Sequence, residues 1–202
     1  MQPQLNLWDA AENTAGTDIP GLQYIPDYIT AAEQQSLLAH IDLQTWRSDL
    51  KRRVQHYGYA YDYKARGLDD KSYLGSLPPW LAQLCAKLKT DQIFPAAPDQ
   101  VIVNEYEPGQ GISAHIDCVP CFKDTIASLS LGSGCVMELL NPETNEKNSI
   151  FLESCSLIVL SDEARYSWQH AIPARKSDMI GGTKIMRGRR ISLTFRNVIL
   201  DS

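Results

Sequence analysis

The stretch VIVNEYEPGQGISAHIDCVPCF, from Val101 to Phe122, is where the character of the sequence changes. Its first six residues favour a β-strand because they are rich in Val and Ile, and the Pro-Gly pair that follows is typical of a turn. Similar β-rich runs, separated by turn residues, continue towards the C-terminus. They read IASLSLG (126–132), CVMELL (135–140), SLIVLS (156–161) and RRISLTFRNV (189–198). This series of short strands predicts an antiparallel sandwich or jelly roll.

Two helices are predicted before the strands. Thr30 and Glu33 have the Thr-x-x-Glu spacing of a capping box, and Leu37 and Ile41 then fall on one apolar face. The stretch SLPPWLAQLCAKLKT predicts a second helix with Pro79 in its first turn. We therefore predict an α+β, mainly β fold in which N-terminal helices pack on one sheet.

Length and composition indicate one globular domain. The chain has 202 residues, 44% of them hydrophobic and 21% charged, which is enough for a sizeable core. We assign residues 1–18 to a loose N-terminal tail and residues 19–202 to a single domain. The sequence shows neither a secretion signal nor an apolar run near the roughly 20 residues of a membrane helix. We expect a cytoplasmic monomer without membrane contact, whose five irregularly spaced cysteines form no disulfide framework.

The charge is unevenly distributed. A net charge of −5 argues, taken alone, against a nucleic-acid-binding protein. Residues 47–66, however, hold six basic and two acidic residues, a local charge of +4. Residues 175–196, here called the second basic stretch, hold seven basic residues and one acidic residue, a local charge of +6. Two basic regions on an acidic body still allow local contact with a polyanion.

His115 and Asp117, two residues apart, are candidate metal ligands. On an extended strand, residues i and i+2 project to the same face, so both side chains reach one ion. His170, which follows several predicted strands, is the candidate for a third ligand. Two histidines and one carboxylate form the facial triad that holds Fe(II) with open positions. We therefore predict a metal site formed by His115, Asp117 and His170.

Cys118 and Cys121 offer a competing Cys-x-x-Cys motif in the same segment. A structural zinc site usually takes four ligands, and the sequence supplies no second pair. A redox-active pair normally begins a helix after a strand, whereas Pro120 places this pair in a loop. The metal prediction therefore favours the histidine and the aspartate, and the role of the two cysteines stays open.

The predicted strand RRISLTFR (189–196) has two different faces. Its residues alternate between an apolar set, Ile191, Leu193 and Phe195, and a polar set, Arg190, Ser192, Thr194 and Arg196. A polar strand face with two arginines in a jelly roll indicates a lined cavity. A facial triad needs a co-substrate to activate O₂, and 2-oxoglutarate carries two carboxylates that match the planar fork of an arginine. The strand thus predicts a 2-oxoglutarate site.

These motifs together resemble the AlkB-type Fe(II)/2-oxoglutarate dioxygenases. The matching stretches, in the order of the family, are RRVQHYGYAYDY (52–63), NEYEPGQGISAHID (104–117), SLSLGSGCVMEL (128–139), ARYSWQH (164–170) and RRISLTFR (189–196). The resemblance covers most of the chain and implies a double-stranded β-helix, the jelly roll of this family.

The resemblance also implies a role for each matched residue. The matches are Asn104 and Tyr106 as hydrogen-bond partners of 2-oxoglutarate, His115, Asp117 and His170 as iron ligands, Arg190 as the anchor of the distal carboxylate, and Arg196 as a second arginine near the chelating end. Ser192, on the same strand as the two arginines, completes the predicted co-substrate site.

The family reaction uses Fe(II), 2-oxoglutarate and O₂ to hydroxylate an alkyl group, with succinate and CO₂ as further products. The resemblance implies a nucleic-acid base as substrate, either an N-alkylated base in DNA or RNA or a modified tRNA uridine. RRVQHYGY and NEYEPGQGI are most similar to the oxygenase domain that hydroxylates a modified wobble uridine and to related bacterial members. Val119 stands where DNA-repair members have an acidic residue that reads the base, so the choice among DNA, RNA and tRNA stays open.

The stretch KRRVQHYGYAYDYKAR (51–66) interleaves basic residues with tyrosines. Cations reach phosphates, and aromatic rings stack on a single-stranded or flipped base. Tyrosines at every second position would share one strand face. We predict that residues 47–66 form a nucleotide-recognition lid in which the substrate-binding residues are Arg52, Arg53, Tyr57 and Tyr59. Alternatively, the tyrosines belong to a hairpin that covers the core.

Two other functions are compatible with the fold. One is an oxygenase that acts on a protein or a small molecule. The other is a non-catalytic metal-binding or redox-sensing module based on Cys118 and Cys121. The complete set of ligands and arginines argues against the second, and the basic-aromatic stretch favours nucleic acid over the first.

Overall fold

The computed structural model describes residues 18–48, 52–62, 67 and 72–200. The predicted tail, residues 1–18, lies outside the described residues except for its last member. The helices are α1 (Ala31–Asp42), α2 (Pro79–Thr90) and α3 (Asp162–Tyr166). The strands are β1 (Leu22–Ile25), β2 (Arg53–Tyr57), β3 (Gln100–Tyr106), β4 (Ile112–His115), β5 (Ile126–Gly132), β6 (Cys135–Leu140), β7 (Lys147–Leu152), β8 (Leu157–Leu160), β9 (Gln169–Ile172), β10 (Ser177–Ile180), β11 (Thr183–Met186) and β12 (Arg190–Arg196).

The strands form two antiparallel sheets and a separate hairpin. The major sheet has the order β1-β8-β5-β12-β3-β2, the minor sheet has the order β4-β9-β6-β7, and β10 pairs with β11. Strands that are distant in sequence, such as β3 and β12, lie side by side in the major sheet. The predicted mainly β fold is confirmed. The crossovers between strands bring motifs that are distant in the sequence close together.

β12 lies between β3 and β5, and its two faces have different environments. Ile191, Leu193 and Phe195 are at most 1% exposed and belong to the apolar core on the helical side of the sheet. The alternate residues, including Arg190 and Arg196, line a cavity between the two sheets. The predicted division of this strand into an apolar and a polar face is therefore confirmed.

Both predicted helices are present on the outer face of the major sheet. Thr30 accepts a hydrogen bond from the Glu33 amide at 3.2 Å, and the Glu33 carboxylate accepts one from the Thr30 amide at 2.7 Å, which confirms the capping box. α2 begins at Pro79, whose missing N–H costs nothing in the first turn. The helices contribute the buried side chains Leu37, Ile41, Leu81, Leu84, Cys85 and Leu88 to the core on this side.

A second apolar cluster fills part of the space between the sheets. It joins Met137 and Leu139 of β6 to Ile126 of β5 and to Ile158 and Leu160 of β8. This cluster holds the two sheets together beside the cavity, because its side chains come from both.

Leu193→Ala is expected to destabilise the fold, since Leu193 is 0% exposed in the centre of the helical-side core. Removing a buried leucine side chain costs about 2–5 kcal/mol of unfolding free energy. Leu43→Ala is the matched control, because Leu43 is 83% exposed and its loss should change stability by less than about 0.5 kcal/mol. Urea denaturation followed by circular dichroism measures both values. Equal effects of the two substitutions would contradict the assignment of β12 to the core.

Candidate active site

The structure brings His115, Asp117 and His170 together at the cavity wall. β4 pairs with β9, and His115 lies directly opposite His170 in the register. The two imidazole centroids are 4.3 Å apart, and His115 Nε2 lies 3.8 Å from Asp117 Oδ1. The ligand atoms of the three residues all lie within 4.8 Å of one another. One divalent ion fits within reach of all three.

Asp117 is not on a strand, which corrects the basis of the sequence prediction. β4 ends at His115, and the chain then enters a 3₁₀ turn, Val119–Cys121. The two side chains meet because the loop folds back, not because they are alternate residues of one strand. Gly111 permits the close pairing of β4 and β9, since a Cβ at this position would lie 2.1 Å from the Ile172 carbonyl oxygen.

Asp117 is a buried anion paired with Arg196. The arginine Nη2 lies 3.2 and 3.3 Å from the two carboxylate oxygens, and Nε lies 3.4 Å from Oδ2. Burial alone would raise the pKa of Asp117, but the positive charge and the hydrogen bonds of Arg196 hold it well below its usual range. The carboxylate is therefore ionised at neutral pH, as a metal ligand requires.

Each of the two histidines offers a ring nitrogen to a metal ion. Burial lowers the pKa of His170 to about 4, so its ring is uncharged at neutral pH. The Nδ1 of His115 lies 2.8 Å from the Ser113 carbonyl oxygen, which only accepts hydrogen bonds. Nδ1 therefore carries a proton, which leaves Nε2 as the ring nitrogen available to an ion.

Arg165 supports the Asp117 loop, and the sequence reasoning missed it. Its side chain is 2% exposed, and it donates to the carbonyl oxygens of Asp117 at 2.9 Å and Cys118 at 3.3 Å. In the sequence, Arg165 is one basic residue within ARYSWQH, and no local pattern there predicts that it is buried. In the same loop Cys118 and Cys121 are joined by a disulfide, whereas Cys85, Cys135 and Cys155 are free and buried.

The polar face of β12 and the inner face of β3 form the wall beside the metal cluster. In the register Arg190 lies opposite Tyr106 and Ser192 lies opposite Asn104, so four predicted co-substrate residues are neighbours. All four line the cavity, which has a volume of about 640 Å³. Burial raises the pKa of the Tyr106 phenol, so its hydroxyl remains a donor.

Arg190 is a buried cation suited to an anionic ligand. It is 4% exposed, donates through Nη2 to Ser130 Oγ at 2.9 Å, and lies 5.4 Å from the Tyr106 ring centroid. Its Nε has no hydrogen-bond partner among the described residues. A buried guanidinium with an unsatisfied donor fits a carboxylate, which is the group 2-oxoglutarate would present. Arg196, in contrast, is already paired with Asp117 and with Gln100 Oε1 at 3.1 Å.

Of the two predicted lid arginines, Arg52 lines the cavity and Arg53 does not. Arg52 Nε donates to Asn104 Oδ1 at 2.9 Å. Arg53 points to the other face of the sheet, where its Nη2 donates to Glu105 Oε1 at 2.8 Å and its guanidinium lies 4.8 Å from the Trp46 ring centroid. Consecutive residues of an extended chain face opposite sides, so only one of the two arginines could face the cavity.

Tyr57 also lies away from the cavity. It ends β2 and packs edge-on against Trp80 of α2, with ring centroids 5.6 Å apart. Gly58 follows with a φ of +75°, a conformation that an L side chain disfavours, and the strand stops there. The prediction that the tyrosines share one strand face is therefore wrong for those described.

Beyond this turn, Tyr59 packs against Tyr73 at 5.1 Å, whereas Tyr61 lines the cavity and lies 5.9 Å from the Phe122 ring centroid. Tyr61 is thus a cavity residue that the sequence reasoning did not select, although it belongs to the same aromatic run. Several members of the predicted lid lie outside the described residues: Lys51, Tyr63, Lys64 and Arg66.

Four of the five arginines in the second basic stretch are held in ion pairs. Arg187 donates to both carboxylate oxygens of Asp178, at 2.6 and 2.8 Å, and Arg175 donates to the same group at 2.7 Å. Burial alone would raise the pKa of Asp178, but the hydrogen bonds from Arg187 and Arg175 hold it below its usual range. Arg189 pairs with Glu105 at 2.8 Å. The local charge of +6 is therefore not an open basic surface.

In the part of the chain that the structure describes, every helix is too short or too polar to cross a membrane.

Comparisons with known proteins identify related sequences over nearly the whole chain. A mimivirus protein, L905 of Acanthamoeba polyphaga mimivirus, is 41% identical over 91% of this chain and 88% of its own length. The alkylated DNA repair protein ALKBH8 homolog of Arabidopsis thaliana is 38% identical over 90% of the chain. The mouse tRNA (carboxymethyluridine(34)-5-O)-methyltransferase ALKBH8 is 37% identical over 89% of it. The chain spans 59% of the plant protein and 30% of the mouse protein.

Solved structures share the fold. OsALKBH1 superposes with a TM-score of 0.69 at 17% identity, covering 89% of this chain and 97% of that one. A Pseudomonas putida prolyl-4-hydroxylase superposes with a TM-score of 0.54 at 15% identity, covering 88% and 92%. These likenesses support the predicted double-stranded β-helix. The sequence profile of the 2OG-Fe(II) oxygenase superfamily matches residues 21–196. With the His-Asp-His cluster in place, the chain belongs to the 2OG-Fe(II) oxygenase superfamily, as an AlkB-like dioxygenase that uses Fe(II), 2-oxoglutarate and O₂.

Proposed function

We propose that the chain hydroxylates an alkyl group on a nucleic-acid base, with a modified tRNA uridine as the leading substrate and an N-alkylated base in DNA or RNA as the next. The observation that carries the proposal is the cavity, whose wall combines the metal cluster with Arg52 and Tyr61 from the basic-aromatic stretch. A cation and an aromatic ring suit a nucleotide that is single-stranded or flipped. The names of the plant and mouse relatives, which concern alkylated DNA and a tRNA uridine, point to the same class of substrate.

His115, Asp117 and His170 hold the iron in this proposal. One carboxylate and two neutral imidazoles are a donor set that Fe(II) accepts with positions left open. Bound Fe(II), together with 2-oxoglutarate, activates O₂ for oxygen insertion into a C–H bond. Arg196 keeps Asp117 ionised and oriented, and Arg165 fixes the backbone of the loop that carries it.

Arg190 anchors the distal carboxylate of 2-oxoglutarate in this proposal. Tyr106, Asn104 and Ser192 add hydrogen bonds from adjacent positions of β3 and β12, and Arg196 lies near the chelating end. The support is the burial of Arg190 and its unsatisfied Nε among the described residues. An anion that enters this site would give Arg190 Nε the partner that it lacks among the described residues.

Arg52 and Tyr61 are the proposed substrate contacts, since they line the cavity. The other predicted contacts, Arg53, Tyr57 and Tyr59, take no part because their side chains lie elsewhere. Four points stay predictions from the sequence. They are the lid at residues 47–66, the single domain over residues 19–202, the monomeric state and the cytoplasmic location.

Asp117→Asn is expected to abolish succinate formation and to weaken Mn(II) binding by at least about 10-fold, because it removes the anionic ligand. Mn(II) replaces Fe(II) in the binding measurement, which electron paramagnetic resonance follows without turnover. Glu143→Ala, an exposed change in a turn, is the control and should behave as the wild type. Asp117→Asn also removes the ion-pair partner of Arg196, which lowers the stability of the fold. His170→Gln leaves that ion pair intact and is therefore tested alongside. Thermal unfolding checks that both variants fold. Normal Mn(II) binding by both folded variants would exclude these residues as the metal site.

Arg190→Met is expected to raise the dissociation constant of 2-oxoglutarate by at least about 100-fold. Loss of a buried charge partner costs ~3–5 kcal/mol, and each ~1.4 kcal/mol is a factor of ten. Calorimetric titration of the Mn(II)-loaded protein measures this constant. Lys184→Met, an exposed change on β11, is the control for loss of positive charge. An unchanged constant in Arg190→Met would assign the anchor to another residue.

The substrate class is tested with purified protein, Fe(II), 2-oxoglutarate and ascorbate on total tRNA and on methylated single-stranded oligonucleotides. We expect nucleoside mass spectrometry to find one added oxygen atom on a modified uridine, with succinate formed in equal amount. Formaldehyde release from the methylated oligonucleotides would favour the demethylase instead. If neither nucleic acid is modified while a protein or small molecule is, the proposed function is wrong and the alternative oxygenase takes its place.

A further inference from the structure

Cys118 and Cys121 take no part in the proposed function, although they lie beside a proposed iron ligand. Cys118 directly follows Asp117, lines the cavity and forms a disulfide with Cys121. The bond closes the 3₁₀ turn Val119–Cys121, in which the Cys121 amide also donates to the Cys118 carbonyl oxygen at 3.2 Å. The oxidation state of the pair therefore bears directly on the loop that carries Asp117.

The Cys121 end of the loop is anchored to the chain that follows β12. The Cys121 carbonyl oxygen accepts a hydrogen bond from the Ile199 amide at 2.8 Å. The Lys123 amide donates to the Asn197 carbonyl oxygen at 2.9 Å. Cys121 is itself 5% exposed and belongs to the apolar cluster between the sheets. These contacts hold Cys121 in place without the disulfide.

Arg165 holds the Cys118 end of the loop. Its guanidinium donates to the Asp117 carbonyl oxygen at 2.9 Å and to the Cys118 carbonyl oxygen at 3.3 Å. Its Nη2 also donates to the Phe122 carbonyl oxygen at 3.5 Å, on the far side of the turn. Arg165 and the disulfide therefore span the same turn, one through hydrogen bonds and the other through a covalent bond.

We propose that Cys118 and Cys121 form a reversible redox site that sets the metal affinity of the cavity, an inference that rests on the metal site proposed above. The disulfide ties the residue next to Asp117 to the anchored end of the loop. A cross-link reduces the number of conformations of a chain, and a group that is already ordered costs less to fix on binding. The oxidised protein therefore binds the metal ion more tightly than the reduced protein.

The chemistry is thiol–disulfide exchange with a low-molecular-weight disulfide. The Cys118 sulfur attacks this disulfide, whose S–S bond breaks, and the first small thiol leaves with the proton of the Cys118 thiol. The Cys121 sulfur then attacks the mixed disulfide, forms the Cys118–Cys121 bond and releases the second small thiol with the other proton. The protein loses two electrons, which the small disulfide gains, and a small dithiol drives the reverse reaction.

Cys118 is the sulfur that a small reagent reaches first. It lines the cavity and is partly exposed, whereas Cys121 is buried. The other cysteines, Cys85, Cys135 and Cys155, are free and at most 7% exposed. The double variant Cys118→Ser, Cys121→Ser keeps these three thiols and lacks the pair. It is therefore the matched control for oxidation elsewhere in the protein.

The experiment measures metal binding by the wild type in two oxidation states, without turnover. The protein is incubated anaerobically with oxidised glutathione or with dithiothreitol, and the reagent is removed by gel filtration. Alkylation and peptide mass spectrometry report the state of Cys118 and Cys121, and electron paramagnetic resonance measures the Mn(II) dissociation constant. We expect this constant to be at least about 10-fold higher for the reduced protein, the lower end of the effect of groups that support metal ligands. The double serine variant should match the reduced wild type after either treatment.

The outcomes separate the inference from the proposed function. Equal constants in the two states, or tighter binding by the reduced protein, overturn the inference and leave the proposed function standing. So does a double serine variant that responds as the wild type does, or a mass map without a Cys118–Cys121 link after oxidation. Circular dichroism is recorded at the same temperature, and unfolding on reduction would also overturn the inference, because the pair would then support the fold and not the site. If neither state binds Mn(II), the proposed metal site falls as well.

Discussion

Arg196 and Asp117 form the ion pair that connects the two sheets at the metal site. Arg196 is the last residue of β12 in the major sheet, whereas Asp117 follows β4 of the minor sheet, and each side chain is 9% exposed. Removing one partner of such a buried pair typically costs about 3–5 kcal/mol, because the other charge is left uncompensated. The position of β12 relative to the minor sheet therefore depends on this contact. The charge state of the proposed iron ligand depends on it as well.

A second set of ion pairs stabilises the other face of β3. Glu105 is 2% exposed and accepts hydrogen bonds from Arg53 and Arg189, and Arg189 also pairs with Asp42 at the end of α1. These contacts fix the helix to the strand whose opposite face carries Asn104 and Tyr106. Successive residues of β3 therefore face the outer layer and the cavity alternately. One strand backbone sets the positions of both groups of side chains.

The sequence predicted most of the fold and the members of the site, but not how the site is held. Alternation in RRISLTFR predicted both faces of β12, because a period of two residues is a local property. The neighbourhood of His115 and His170 was inferred from ligand chemistry and family resemblance, whereas their direct pairing depends on crossovers that no local pattern contains. Arg165 was missed for the same reason, since its partners lie more than 40 residues away. Charge counting failed in the second basic stretch because acidic residues outside it, Asp42, Glu105 and Asp117, pair with Arg189 and Arg196.

The two faces of β12 also limit how this protein can change in length during evolution. A single inserted or deleted residue within Arg190–Arg196 would exchange the faces of every residue that follows, placing arginine in the apolar core and leucine or phenylalanine in the cavity. No point substitution elsewhere could compensate for such a shift, because β3 and β5 pair with β12 along most of its length on both sides. Changes in chain length are tolerated at exposed turns such as Gly181–Gly182, between β10 and β11, where a longer loop alters neither face. Lineages of this fold can therefore diversify through their loops while the number of residues in the central strand stays constant.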